Sequence, residues 1–408
     1  MTPRCSRPSR RTSPADRSLP VEPLAALEHV ADRVAHLVCL DAFLPADGES
    51  LDGLTGLTGP RPGYTGVGPG TDWQVPSRSL ESLYEPAPPR IVCAMSVEQQ
   101  EFEQHRRELT GYCYRMLGSA FDADDAVQET MLRAWKNAAG FEGRASLRSW
   151  LYKIATNVCL DTLRTGKRRA LPMDLGPSSP PHESLLRPWP AEDIWVTPIP
   201  DDKIGDPAEI AETRESVRLA FVTALQHLPA RQRAALILCE VLKLSAAEAA
   251  HILDSSVASV NSALQRARAT LAALPDHQRP TAVEPENAEL LAKYVDAFQR
   301  YDMTALLALI HEDAIQTMPP FELWVQGNAD ITKWMVEPTP SQCRGSVLVP
   351  VRANGVTAWG QYKPDPDGGG HKPWALQVHE ARAGKLSRLT FFIDTGRLFP
   401  LFGLPPQL

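Results

Sequence analysis

The stretch from Asp122 to Arg164 constrains the fold of this 408-residue chain more than any other. Its first half predicts an amphipathic helix starting at Asp122 or Asp124, since carboxylates favour a helix N-terminus. Ala123, Ala126, Val127, Thr130, Met131, Ala134 and Trp135 fall on one face, and Asp124, Asp125, Gln128 and Glu129 on the other. Gly140–Arg144 reads as a loop, and Ser146 can cap a second helix ending near Gly166. Leu147, Trp150, Leu151, Ile154, Ala155 and Val158 form the apolar stripe of that helix. Two such stripes must bury each other, which a helical bundle does.

The second helix is basic. From Met131 to Ala170 there are nine Lys/Arg and two Asp/Glu, inside a chain whose formal net charge is −7. Binding follows local patches rather than net charge, so an acidic total does not exclude nucleic acid. Arg144, Arg148, Lys153, Arg164 and Lys167–Arg169 suit phosphates. Phe141, Trp150 and Tyr152 suit stacking on unpaired bases, and Thr156 and Asn157 can hydrogen-bond. Trp150 also lies on the apolar stripe, so a core role is its alternative. The acids of the preceding helix would repel phosphate; a basic protein surface is their expected partner, a solvated face the alternative.

The length predicts two or three domains, and the chain divides accordingly. Residues 1–94 are Arg/Ser/Pro-rich and then Gly-rich, which predicts a disordered extension interrupted by helical spacing over Leu24–Leu44. Arg10-Arg11 lacks the apolar core of an export signal, and patterned sequence beginning at Ser96 suggests Met95 as an alternative translation start. Residues 96–170 form the helical bundle, with a preceding helix over Val97–Met116. Residues 171–208, rich in proline and acids, read as an extended linker. No apolar run is long enough to span a membrane. The seven cysteines are an odd number without a C-x-x-C pair, which predicts reduced thiols in a cytoplasmic protein. No metal or cofactor motif stands out.

Residues 209–274 are helical again. Pro229 suits a helix start, and Ser245 with Glu248 makes a capping box. A short helix to Leu253, a turn at Asp254-Ser255-Ser256 and a helix over Val257–Leu271 make a helix-turn-helix. Ala258, Ser259, Asn261, Ser262 and Gln265 are placed to read base edges, and Arg266 and Arg268 to hold phosphates. Residues 287–408 combine helices at Asn287–Arg300 and Thr304–Ile310 with strands at Ala314–Met318, Arg344–Ala353, Val356–Tyr362, Trp374–Arg382 and Leu386–Ile393. Hairpin turns are expected at Asn354-Gly355 and Ala383-Gly384. Helices followed by antiparallel strands imply a compact α+β domain.

Read together, Asp122–Trp135, Ser149-Trp-Leu-Tyr-Lys-Ile-Ala-Thr-Asn157, Leu228-Pro-Ala-Arg-Gln-Arg-Ala-Ala235 and Val260-Asn-Ser-Ala-Leu-Gln-Arg-Ala-Arg268 resemble an extracytoplasmic-function (ECF) sigma factor of RNA polymerase. The likeness covers about Ser96–Leu274. Leu291-Ala-Lys-Tyr-Val-Asp-Ala-Phe298, Met318-Pro-Pro320 and Phe399-Pro-Leu-Phe-Gly-Leu-Pro405 resemble the SnoaL-like (NTF2-like) cone domain that follows the sigma domains in the sigma-G-type subfamily.

The resemblance implies two all-α sigma domains, a bundle and a helix-turn-helix, plus an α+β cone domain that modulates activity. It implies core RNA polymerase and promoter DNA as partners. Asp124, Asp125, Gln128 and Glu129 would dock on polymerase. Phe141, Arg144, Arg148, Trp150, Tyr152, Lys153, Thr156 and Asn157 would capture and melt the −10 element, where a base is flipped from the stack. Ala258, Ser259, Asn261, Ser262, Gln265, Arg266 and Arg268 would bind the −35 element. The linker would thread the polymerase interior. An anti-sigma factor and a small ligand of the cone domain are left open. Asp254 departs from the family pattern, which often has Gly there; Asp tolerates the left-handed conformation.

Two other readings compete. A ligand-responsive helix-turn-helix regulator acting without core polymerase leaves the acidic helix and the Trp150 segment without work. An enzyme would draw on His311, Asp313, His379 or Asp394, whose spacing implies no chemistry, with surface roles as the plain alternative. Phe321, Trp324, Trp359, Trp374 and Phe392 would line a pocket or fill the cone.

Overall fold

The computed structural model describes residues 97–141, 146–166, 168–182, 184, 186, 194–205, 215–280, 286–336 and 343–408. The chain divides into units 1–95 and 96–408, and all described residues lie in the second. The expectations for the N-terminal extension, Met95, Arg144, Lys167 and part of the acidic linker lie outside them.

Four helices build the first domain: α1 (Val97–Glu103), α2 (Arg106–Leu117), α3 (Ala120–Lys136) and α4 (Leu147–Thr165). Helix α3 starts two residues before Asp122, because Ser119 Oγ accepts from the Asp122 amide and caps it. Ser146 caps α4 as the sequence predicts, its Oγ accepting from the Ser149 amide at 3.1 Å, and Gly166 ends it. Leu109, Tyr112, Met116, Val127, Leu151 and Tyr152 are buried in one cluster. Each large apolar side chain taken fully from water contributes about 1.5–3 kcal/mol.

The second helical domain comprises α5 (Leu219–Leu225), α6 (Ala230–Leu236), a π-turn over Ile237–Val241, α7 (Ala246–Ile252) and α8 (Val257–Ala272). Pro229 stands at the N-cap of α6 rather than in its first turn. The capping box is complete: Ser245 Oγ accepts from the Glu248 amide, and the Glu248 carboxylate accepts from the Ser245 amide at 2.8 Å. Asp254 adopts φ +46°, the left-handed turn conformation that Asp tolerates better than most residues.

The third domain holds α9 (Ala288–Gln299), α10 (Met303–Ala308), β1 (Ile310–Thr317), β2 (Trp324–Gln326), α11 (Asn328–Val336), β3 (Val347–Ala353), β4 (Val356–Pro364), β5 (His371–Arg382), β6 (Lys385–Phe392) and α12 (Thr395–Leu401). The sheet order is β2-β1-β6-β5-β4-β3. Both expected hairpins form, with Asn354 and Ala383 at positive φ. One pairing departs from the antiparallel expectation: β1 runs parallel to β6, because helix α11 and the β3–β5 meander separate them in the chain. The sequence reading missed β2, α11 and α12, which are short and lack a long periodic stripe.

The expected extended linker is not free. Trp195, Val196, Ile199 and Ile204 are buried, and short bridges join Ala170 to Trp195 and Pro200 to Ala353. Apolar residues scattered among the prolines give it a face to bury. At its centre lies Asn354, fully buried at the β3–β4 turn. Its Nδ2 donates to Tyr114 Oη at 2.7 Å and to the Val217 carbonyl at 2.8 Å, while its Oδ1 accepts from the Ile199 amide at 3.1 Å. One side chain thus ties both helical domains and the linker to the cone.

Candidate nucleic-acid interface

Helix α3 presents Asp124, Asp125 and Gln128 to solvent, with Glu129 half-buried. Gln128 Nε2 donates to Asp124 Oδ2 at 3.0 Å, and Glu129 pairs with Arg133 at 2.6 Å. Partial burial, then the Asp122 and Asp124 charges, raise the Asp125 pKa. Trp135 was expected on the buried face, yet it is 44% exposed beside Leu132, 37% exposed. Helical spacing carries the row Asp124, Gln128, Leu132, Trp135 along one side. The acidic face therefore ends in an apolar patch that the sequence reading missed; Leu132, next to Met131 but one position off the apolar face, was its signal.

Helix α4 divides differently from the expectation. Asn157 is exposed, and Arg148 and Lys153 are part-exposed. Tyr152 and Thr156 correct the sequence reading: both are fully buried. Tyr152 Oη donates to Glu108 at 3.1 Å, and Thr156 Oγ1 bonds Tyr112 Oη at 2.7 Å. They lie on the i, i+4 row that faces α2, so they support the surface from beneath. Burial, then the Glu108 charge, pushes the Tyr152 pKa up. Trp150 is half-buried, its ring 5.1 Å from Phe141 and 6.2 Å from Phe102. Phe141 and Trp150 thus form an aromatic pair at the edge of the core. Arg148 bonds Glu108 at 2.8 Å, and Lys153 reaches across to Asp254 in the helix-turn-helix at 2.6 Å.

Helix α8 carries Ala258, Ser259, Asn261, Ser262, Gln265, Arg266 and Arg268 on its outer side, all exposed. Val260, Ala263, Leu264 and Ala267 face inward. Val257 is 44% exposed at the helix start. Ser256 Oγ accepts from the Ser259 amide, and Arg268 bonds Glu240 at 2.6 Å.

Two buried arginines join the helical domains. Arg233 donates to the Met116 carbonyl at the end of α2, to Gln226 Oε1 at 2.6 Å and to the Leu228 carbonyl at 3.1 Å. Arg115 donates to the Ser216 carbonyl and hydroxyl at 3.0 and 2.9 Å. Burial lowers both pKa values to about 10, which leaves both cationic at neutral pH.

The four enzyme candidates are not brought together. His379 is buried in the cone, Asp394 is exposed beside α12, and His311 and Asp313 lie along β1. Trp324 packs on His277 with rings 5.6 Å apart, and Trp359 packs on Tyr294 at 5.4 Å. Trp374 lines a cavity. Among the described residues no cluster of His, Cys, Asp and Glu could hold a metal, and no helix is long and apolar enough to cross a membrane.

Comparison with known proteins decides what these surfaces belong to. Residues 102–169 match the sigma-70 region 2 model, and residues 218–271 the sigma-70 region 4 model. The chain is 45% identical to the ECF RNA polymerase sigma factor SigG of Mycobacterium tuberculosis over 317 residues, 75% of this chain and 83% of that protein. It belongs to the ECF sigma factor family. The crystal structure of M. tuberculosis SigJ, 22% identical, matches 75% of this chain and 99% of that one with a TM-score of 0.51, which shows a shared architecture including the C-terminal mixed-sheet domain. This sigma factor binds core RNA polymerase and directs it to promoter DNA. Sigma factors are initiation factors rather than enzymes, and a regulator acting without core polymerase is not favoured.

Proposed function

We propose that this sigma factor divides its partners between two faces of one bundle. Core polymerase docks on α3 through Asp124, Asp125, Gln128 and Glu129, extended by Leu132 and Trp135. The promoter −10 element meets Phe141, Arg144, Arg148, Trp150, Lys153 and Asn157, with Tyr152 and Thr156 holding that surface from the core. The −35 element meets α8 through Ala258, Ser259, Asn261, Ser262, Gln265, Arg266 and Arg268. The acidic linker enters the polymerase interior once released from its packing, and the protein works in the cytoplasm, where core polymerase is.

The observation that carries this reading is the continuous acidic-to-apolar row on α3, ending in an indole 44% exposed. Such rows, an aromatic anchor rimmed by charge, are typical of protein–protein hot spots. The test is co-purification of full-length protein with core polymerase. Trp135→Ala should weaken association at least about tenfold, a loss of about 1.4 kcal/mol or more. Undiminished association would reject α3 as the docking face.

The cone domain modulates this activity by holding the sigma domains. Glu380 on β5 accepts from the Ala220 amide at the start of α5, and the Arg397 guanidinium lies 4.2 Å from the Phe121 ring at the start of α3. Arg397 therefore sits close to the polymerase-docking acids. Arg397→Ala should raise core association; no change would remove this contact from the regulatory account.

A further inference from the structure

Between the sheet and helices α9, α10 and α11 the cone holds an open-mouthed cavity of about 40 Å³. Phe298, Trp334, Trp374 and Phe391 supply aromatic walls, and Met303 and Met335 stand half-buried at its rim. Tyr301 Oη donates to the Met335 carbonyl at 3.1 Å and ties the end of α9 to α11 beside that rim. No lining residue is charged at neutral pH; burial pushes the Cys343 thiol up, so it too stays neutral.

One amide side chain breaks this largely apolar surface. Gln316, on β1, is 2% exposed, and its Oε1 has no hydrogen-bond partner among the described residues. Leaving a buried amide oxygen unpaired costs about 1–3 kcal/mol. An apolar residue of the same shape would fill this place without that cost, so the amide calls for a partner that enters from the cavity. The partner must be flat and apolar over most of its surface, to fit walls of Trp and Phe, and uncharged, since no lining side chain carries a charge and the Lys363 and Arg344 cations stand against the Trp374 and Tyr301 rings without lining the cavity. It needs one hydroxyl, which can donate to Oε1.

We propose that this cavity is a binding site for a small, uncharged, single-ring alcohol of the phenol class, stacked on the aromatic wall and hydrogen-bonded to Gln316. The site goes beyond the promoter-binding surfaces and stands independently of them. The Lys363 ammonium, 3.4 Å from the centre of the Trp374 ring, fixes one wall. His379 and Tyr294 lie deeper, bonded to each other at 2.9 Å.

The test is fluorine NMR titration of the full-length protein with 4-fluorophenol and with 4-fluorotoluene, which has the same shape but no donor. 4-Fluorophenol should bind saturably and about tenfold tighter than 4-fluorotoluene, the worth of one hydrogen bond. Gln316→Leu should abolish that preference without weakening 4-fluorotoluene. Met335→Trp, at the rim, should exclude both probes and keeps the idea testable where Gln316→Leu fails to fold. Three results would overturn the proposal. These are no saturable binding of either probe below about 1 mM, a preference that survives Gln316→Leu, and binding that survives Met335→Trp. The first would mean that Gln316 bonds only water in a cavity without a ligand.

Discussion

Lys153 Nζ lies 2.6 Å from Asp254 Oδ1, so a lysine of α4 is held by the turn of the helix-turn-helix. The relationship explains why Asp occupies a left-handed position that suits Gly. The carboxylate gives the turn a grip on α4 that hydrogen could not. Asp254→Gly removes the ion pair, worth about 0.2–1 kcal/mol at this exposure, and relieves the backbone at φ +46°. The two effects oppose, so melting should shift little while Lys153 is freed for phosphate. Run-off transcription should rise relative to wild type at equal protein concentration; a fall would show that Asp254 serves the open complex instead.

Helix α8 exposes two kinds of contact that mutation can separate. Arg266→Ala should weaken binding about equally across −35 variants and lower the salt dependence, as loss of one phosphate contact does. Gln265→Ala should relax preference at one base pair by about 1–3 kcal/mol. Binding to a panel of −35 variants distinguishes them, and an unchanged preference profile in Gln265→Ala would remove it from base reading.

Arg233 stands for a structural class of residue within a DNA-binding domain. The residue is 4% exposed, and its guanidinium serves carbonyls of Met116, Gln226 and Leu228. Arg233→Ala leaves these acceptors buried and unpaired, at a cost of about 3 kcal/mol or more. Denaturant unfolding of the full chain measures it. A loss below about 1 kcal/mol would mean that water replaces the arginine.

His379 makes the stability of the cone depend on pH in the acid range. Burial lowers the His379 pKa from 6.5 to about 3, so the native imidazole is neutral. The unfolded chain takes up a proton below its ordinary pKa. The contribution of His379 is therefore fully present above about pH 6.5 and is lost as pH falls towards 3, at up to about 1.4 kcal/mol per unit. His379→Gln should flatten that slope. Urea unfolding at about pH 7 and about pH 5 checks it, and equal slopes in both proteins would place the acid sensitivity elsewhere.

Much of this molecule was legible in its sequence, for definite reasons. Long periodic helices such as α4 and α8, capped by Ser146 and Ser256, announce themselves locally. So do the hairpins at Asn354-Gly355 and Ala383-Gly384, where two residues set the turn. What was hidden depends on distant packing. Tyr152 and Thr156 carry the right chemistry for DNA, and only the approach of α2 shows that they are core. Trp135 looks like core by hydropathy and is surface by one step of helical rotation. The linker looks extended by composition, yet Trp195 and Ile199 bury it. Parallel pairing of β1 with β6 joins segments about 70 residues apart, beyond the reach of local pattern.

Asn354 meets Tyr114, Ile199 and Val217 through one amide, and the adjoining Gly355 amide donates to Asp201 at 2.7 Å. A single buried side chain shared by three segments makes their separation all-or-none. Releasing any one leaves a donor or acceptor of the Asn354 amide unpaired in the dry interior, which disfavours partial opening. The sigma domains should accordingly leave the cone in one concerted event, with the amides of Ile199 and Gly355 losing hydrogen-exchange protection together.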